Sequence, residues 1–390
     1  MRLSTPIRFT ELDVWQADYD LRLAFSHNLA SRKRVSTLFV RVRTERGNEG
    51  YGQALPRDYL SGESMESVVC AIREKWWPAL GTLSISEADS DAVLSVFTPM
   101  HADADEKRLT ASYSTVELAA LDAFAHETGK SISTLLGSKE TVERLPLVGV
   151  VPAAGPRLAS RLSRILKWLG YQRFKVKVGR DEAADKRRIE AVRNTVGQDA
   201  WLAVDANAAW SPDEAKERLI GLSAYGIQLA EEPIRRENAK DIDYLQLEEA
   251  CGISIMADES LCTIDDAKTL LKRGSPSWWN LRFGKNGGFV GMRELAALAR
   301  ANAIKLYGGV LVGETSLLAA AGRAAMFDCG VECMEYGFPR LFIKGDPFRG
   351  GPGGFSGWMS PPLMRGVGSG IRLRKRIFEK QAHLLWSSKG

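Results

Sequence analysis

RFKVKVG (173–179), WLAVDAN (201–207), IQLAEEP (227–233) and ISIMADES (253–260) are four short apolar runs in succession. The first carries Lys175 and Lys177, and acidic residues close the other three: Asp205, Glu231 and Asp258. Lys177 lies 28 residues before Asp205, Asp205 lies 26 before Glu231, and Glu231 lies 27 before Asp258. A period of that size holds one strand, one loop and one helix, returning the chain to the same edge of a sheet. Side chains at the carboxyl ends of successive parallel strands converge, and a (β/α) barrel builds its active site there. Three convergent carboxylates suit a hard divalent cation that prefers oxygen ligands, Mg²⁺ before Zn²⁺, with Mn²⁺ as the nearest substitute.

The same rhythm extends in both directions. LPLVGVV (145–151) is expected as the first strand, and WWNLRF (278–283), IKLYG (304–308) and VECME (331–335) as the sixth to eighth. Helical patterns such as 181–196 and 211–225 separate them; the latter begins with Ser211 at the cap and Pro212 just inside it. Residues 146–345 therefore predict an α/β fold, a TIM-type barrel of roughly (β/α)7β form. Residues 1–145 lack the rhythm. Two β-like runs, 7–16 and 37–45, flank a polar segment at 24–36, and GNEG (47–50) leads into YGQALP as a hairpin would. Helical patterns follow at 63–79, 86–98 and 113–128, giving an α+β capping domain. From 346 a Gly- and Pro-rich surface connector precedes a basic helical tail, and the segment 346–390 is expected to return to the capping domain.

Bulk properties exclude several classes. A chain of 390 residues with 45% apolar and 26% charged content is ordinary for a globular protein. The net charge of +5 is weak for this length, much of it in IRLRKRI (371–377), and no motif supports nucleic-acid binding. Five cysteines without a Cys-x-x-Cys spacing argue against a disulfide framework or a zinc ribbon. No apolar stretch approaches the ~20 residues of a membrane span, and MRLSTPIRFTELDVW lacks an apolar signal core. The expected compartment is the reducing cytoplasm.

In a strand, residues i and i+2 face the same side, so Lys175 and Lys177 both face the barrel mouth. Two neighbouring ammonium groups and a bound metal each disfavour the charged form, which predicts a lowered pKa for at least one lysine. A neutral amine is a competent base for a proton next to a carboxylate. The metal would hold that carboxylate and stabilise the enolate left behind.

At this point the pattern resembles a known family. The order Lys-x-Lys, Asp, Glu, Asp in a capped barrel is similar to the enolase superfamily, whose sites use a Lys or His base with Mg²⁺. Within it the chain most resembles the muconate-lactonizing-enzyme subgroup, of the mandelate racemase/muconate lactonizing enzyme family. The resemblance spans GYGQALPRDYLSGE, VELAALDAFAHETGK, KVKVG, VDAN, EEP, ADES and KNGG, almost the whole chain. It implies Lys177 as general acid/base and Lys175 as its partner, which lowers its pKa and touches the substrate carboxylate. It further implies Asp205, Glu231 and Asp258 as metal ligands, with Asn207 and Glu259 orienting them. His27 would lie in a cap loop that closes over substrate, and Glu335 at an acidic position near it. Of the adjacent pair, the resemblance favours Glu231 as ligand, and strand alternation sends Glu232 to the other side.

One departure stands out. The subgroup ordinarily carries a second catalytic Lys on the sixth strand, and here that position is Arg282. Arginine stays protonated and is a very poor base, which disfavours two-base racemisation. Lys285, three residues on, is expected beyond the strand end as a poor substitute. Gln53, where related sequences often carry Glu, is a second departure to which no mechanism attaches. His101, His126 and His383 fall outside the barrel strands, so a His-Asp dyad is absent. Trp278 and Trp279 read as barrel packing, and the Gly-rich segment 350–357 lacks the Lys-Ser/Thr of a P-loop.

The expected function is thus an Mg²⁺-dependent lyase or cycloisomerase moving a proton α to a carboxylate on one face, muconate-lactonizing-like or o-succinylbenzoate-synthase-like. The alternatives are an N-acyl amino acid or dipeptide racemase/epimerase, and a ligand-binding descendant without turnover. The expected partners are a small-molecule carboxylate and further copies of the chain in a homo-oligomer, with neither nucleic acid nor membrane.

Overall fold

The computed structural model describes residues 2–390 apart from 27–30, 88, 139–142, 180, 236–237, 239–241, 353–355 and 363–365. Eight parallel strands follow one another in chain order: Val148–Val151, Arg173–Lys177, Trp201–Asp205, Leu229–Glu231, Ser254–Ala257, Trp278–Leu281, Lys305–Gly308 and Cys333–Met334. A parallel bridge between Leu147 and Met334 brings the eighth strand back to the first and closes the barrel. Helices separate the first seven strands from their successors, and the short Pro339–Phe342 turn follows the eighth directly, as a (β/α)7β barrel requires.

Local sequence sets where the helices begin. Ser211 accepts from Glu214 N while the Glu214 side chain accepts from Ser211 N, and Thr263 and Asp266 repeat the arrangement. Strand alternation sorts the side chains. Val148, Ala203, Leu229, Met256, Trp278, Tyr307 and Cys333 pack together inside the barrel, beneath the polar residues of the mouth. At the amino end of the strands the Trp201 and Trp278 rings lie 6.4 Å apart, with Arg173 over the first and Lys305 over the second. Trp278 therefore plugs the floor, and Trp279 packs outward into the main core.

The cap is a four-stranded antiparallel sheet in the order Ala382–Ser387, Phe9–Ser26, Ser31–Thr44 and Glu49–Ala54. Its helix Thr110–Thr128 lies directly on the strand Glu49–Ala54. A Cβ on Gly50 would meet Ala123 N at 2.0 Å, and one on Gly52 would meet Thr115 O at 2.0 Å. The alternating glycines of GYGQ and the small residues of the helix are thus two halves of one close contact.

Several boundaries differ from the sequence reading. LPLVGVV is two elements, because Leu145–Pro146 pairs antiparallel with Trp358–Met359 before the barrel strand begins. The two cap strands run into the polar segment 24–36, where cross-strand pairing outweighs low apolar content. The pattern at 63–79 is broken by a π-turn at Ile72–Trp76. The basic tail is a short helix, Lys375–Gln381, followed by a strand that the charge pattern hid. Among the described residues no helix is long and apolar enough to cross a membrane, and no disulfide joins any of the five cysteines.

Candidate active site

The carboxyl ends of strands two to six deliver the charged residues. Register pairs Lys177 with Asp205 and Asp205 with Glu231 across adjacent strands. Asp205, Glu231 and Asp258 are all fully buried, so each needs compensation. Lys177 Nζ donates to Asp205 Oδ2 at 2.5 Å and to Asn207 Oδ1 at 2.8 Å. Lys175 Nζ bonds Glu231, lies 2.5 Å from Glu335 Oε1 and 3.5 Å from Asp205 Oδ2. Arg282 Nη2 bonds Asp258 and reaches Glu231 Oε1 at 3.3 Å, while Nη1 donates to Val310 O at 3.2 Å.

The supporting groups fix these contacts. Asn207 donates from Nδ2 to Glu259 Oε1 at 3.1 Å, and its main-chain N–H goes to Asp205 Oδ1 at 3.0 Å. Tyr307 donates to Glu335 at 3.0 Å. Asn280 Nδ2 donates to Glu231 Oε1 at 2.8 Å. Glu232 faces away, as alternation requires, and accepts from Asp258 N and Ser260 Oγ. His27 falls outside the described residues.

Lys285 has contacts that the sequence reading did not foresee. It does lie past the strand end, but its chain turns back so that Nζ donates to Asp258 O and Oδ1 and to Asn280 O, at 2.7, 2.9 and 2.8 Å. Gly287 and Gly288, both at φ near +70°, make the tight return that KNGG encodes. Asn280 and Tyr307 were also missed, though alternation from Arg282 would have found the former.

The lowered pKa expected of at least one of the two lysines does not fall on Lys175. Burial alone would push the Lys175 ammonium down, but Glu231 and Glu335 hold it well above the usual lysine value. The sequence reading weighed two lysines against each other and left out the carboxylates across the barrel. Despite burial, Lys177 and Lys175 hold Asp205 well below the carboxylate range, and Arg282 and Lys285 lower Asp258. Burial and the adjacent Asp205 push Glu231 up to about 8, against the pull of Lys175. Burial and the charge of Asp258 drive Glu259 well above its ordinary value.

Three buried carboxylates on adjacent strand ends fit a hard divalent cation in kind and in position. As the side chains stand, however, no three acidic, Cys or His groups among the described residues form a set ready to hold an ion. Lys175 and Arg282 stand between them, each linking two carboxylates. In this arrangement the buried anions are compensated by the cations within reach.

Comparison with known proteins adds independent findings. The sequence profile described as enolase C-terminal domain-like matches residues 157–376. The chain is 30% identical over 342 residues to an L-Ala-D/L-Glu epimerase from Bacillus subtilis (strain 168), covering 86% of this chain and 89% of that one. It is 31% identical over 305 residues to muconate cycloisomerase 1 from Pseudomonas putida, covering 76% and 78%. A dipeptide epimerase from Cytophaga hutchinsonii, solved with Mg and D-Ala-L-Val, superposes with a TM-score of 0.82 at 25% identity, over 97% of this chain and 99% of that one.

Proposed function

Because the chain belongs to the enolase C-terminal domain-like family, within the enolase superfamily and akin to its muconate-lactonizing members, we propose that it moves a proton α to a substrate carboxylate on a single face. Lys177 is the acid/base, and the reaction is a cycloisomerisation or a syn β-elimination. The observation that carries this reading is the position of Arg282. Strands two and six are four apart in a closed ring of eight, so Lys177 and Arg282 approach the mouth from opposite sides. A guanidinium keeps its protons, so strand six offers the side facing Lys177 positive charge but no base.

Lys177, held between Asp205 and Asn207, takes the α-proton and passes it to the departing β-group on the same face, or, where a ring closes, delivers a proton to the enolate carbon. Lys175 stays protonated beside Glu231 and Glu335 and gives the substrate carboxylate a fixed charge. Asp205, Glu231 and Asp258 would hold Mg²⁺, which supplies charge for the enolate oxygens. Asn207 and Glu259 keep Asp205 and Lys177 aligned, and Arg282 holds a second anionic group of the substrate.

α-Proton exchange in D₂O, followed by NMR over muconates, N-acyl amino acids, dipeptides and succinylbenzoate precursors, tests the reading. Exchange that needs Mg²⁺, retains configuration and disappears in Lys177→Ala is the expected result. Exchange persisting in Lys177→Ala would remove that residue from the base role. A second reading, epimerisation of a dipeptide or N-acyl amino acid, is favoured by the similarity to the Bacillus subtilis epimerase over 86% of the chain. It requires a proton donor facing Lys177, and Lys285 is committed to Asp258 and two main-chain carbonyls. Deuterium incorporated with inversion would decide for it.

A further inference from the structure

Arg282 draws on two of the three carboxylates assigned above to Mg²⁺. Its Nη2 bonds Asp258 and lies 3.3 Å from Glu231 Oε1. An ion shared by Asp205, Glu231 and Asp258 needs oxygens from both. A lysine in this place could give up its proton and its charge, whereas a guanidinium cannot. The ion and the guanidinium therefore compete, since a divalent cation a few ångströms from a fixed positive charge is repelled in a buried site.

The rest of the site is built to stay in place when Arg282 moves. Lys285 holds Asp258 Oδ1 at 2.9 Å, and Asn280 holds Glu231 Oε1 at 2.8 Å. The guanidinium itself is held only at its outer nitrogens, because Arg282 Nε is buried without a partner among the described residues. Beside it stands Gly309, where a Cβ would come within 2.9 Å of that Nε and 2.3 Å of Asn280 Oδ1. The missing side chain leaves the arginine stem room next to the loop after strand seven, and Nη1 is tethered there to Val310 O.

We propose that Arg282 is a resident competitor of the divalent cation. It weakens cation binding in the resting site, and cation loading swings its guanidinium about the Val310 carbonyl into the mouth. There it becomes available to an anionic group of the substrate, so the cation binds before the substrate does. The inference rests on the Mg²⁺ reading above. Apparent affinity falls in proportion to the fraction of molecules whose ligands are free, so removing the competitor tightens binding. Structural damage would have the opposite sign.

The experiment is a Mn²⁺ titration of the full chain, reading free Mn²⁺ by EPR, for wild type, Arg282→Met, Arg282→Lys and Asp205→Asn. Arg282→Met binding at least about tenfold tighter than wild type, with Arg282→Lys between them and Asp205→Asn weaker, is the expected result. Arg282→Met binding equally or more weakly, while Asp205→Asn still weakens, overturns the competition and leaves the metal site standing. Wild type and Asp205→Asn binding alike overturns the metal reading and this inference with it. Should Arg282→Met fail to fold, Arg282→Gln carries the test, because it removes the charge and keeps a hydrogen-bonding head group. No tightening in Arg282→Gln then overturns the proposal.

Discussion

At Lys285 a single buried ammonium serves three acceptors, two of them main-chain carbonyls on different strands. Removing one partner of a buried ion pair leaves an uncompensated charge, so Lys285→Met is expected to cost about 3–5 kcal/mol of stability. Urea unfolding measures it, and a loss below about 1 kcal/mol would mean that Arg282 alone compensates Asp258. Gln53 also acquires a reason here. Its amide donates to Thr37 Oγ1 and Gly313 O and accepts from Thr315 N and Oγ1. Gln53→Glu would lose both donors and bury a charge, lowering the thermal midpoint; an unchanged midpoint would show the site tolerates a carboxylic acid. At this scale the strand-end residues were legible, because period and alternation place them without knowledge of contacts. Lys285 and the protonation of Lys175 were not, because both depend on what a turn or a distant strand brings close.

The helix Gly288–Ala301 has its first N–H groups capped from another part of the fold. Glu117, on the cap helix Thr110–Thr128, accepts from Phe289 N and Val290 N, and a Cβ on Gly288 would lie 1.9 Å from Glu117 Oε2. Burial pushes this carboxyl up to about 7 from its usual 4.5, against the pull of those N–H groups, His101 and Tyr113. The native state therefore keeps a proton that the unfolded chain releases near 4.5, and stability falls as pH rises from about 4.5 to about 7. Glu117→Gln does not titrate, so the wild-type-minus-variant stability difference should decline across that window and then level off. A flat difference from calorimetry at several pH values would discard the assignment. Gly52→Ala belongs to the same scale: it forces the strand off the cap helix and is expected to cost at least about 1–3 kcal/mol by thermal unfolding. Element types were readable from apolar period, but not the C-terminal strand, since the basic run before it looks like a solvated helix. Nothing in local sequence announces that Phe9–Ser26 waits for a partner more than three hundred residues away.

Over the whole molecule, three spacings near one length were enough to anticipate a parallel barrel, because each strand–helix unit must repeat to close a ring. The residues that close it, Leu147 and Met334, and the seating of the cap were not readable, since both arise from shape. The seating rests on Glu117, on Gln53, on Arg57 bonded to Val312 O, and on Arg108 with Asp266. Ending the chain after Gln381 would leave Phe9–Ser26 as a bare sheet edge and is expected to lower the unfolding midpoint and promote self-association. Calorimetry and light scattering read both, and a monomer of unchanged midpoint would show that the last strand is dispensable.

That last strand ties the chain into a loop: Leu12 N bonds Ser388 Oγ, and Lys389 lies 2.9 Å from Glu11. During synthesis, the strand Phe9–Ser26 must wait for its outer partner while the entire barrel is made. A gene opened at an exposed turn between barrel helices, with its old ends joined by a short linker, would make the cap in one continuous stretch. Such a rearranged protein should fold with less chaperone help than the natural order of the same residues.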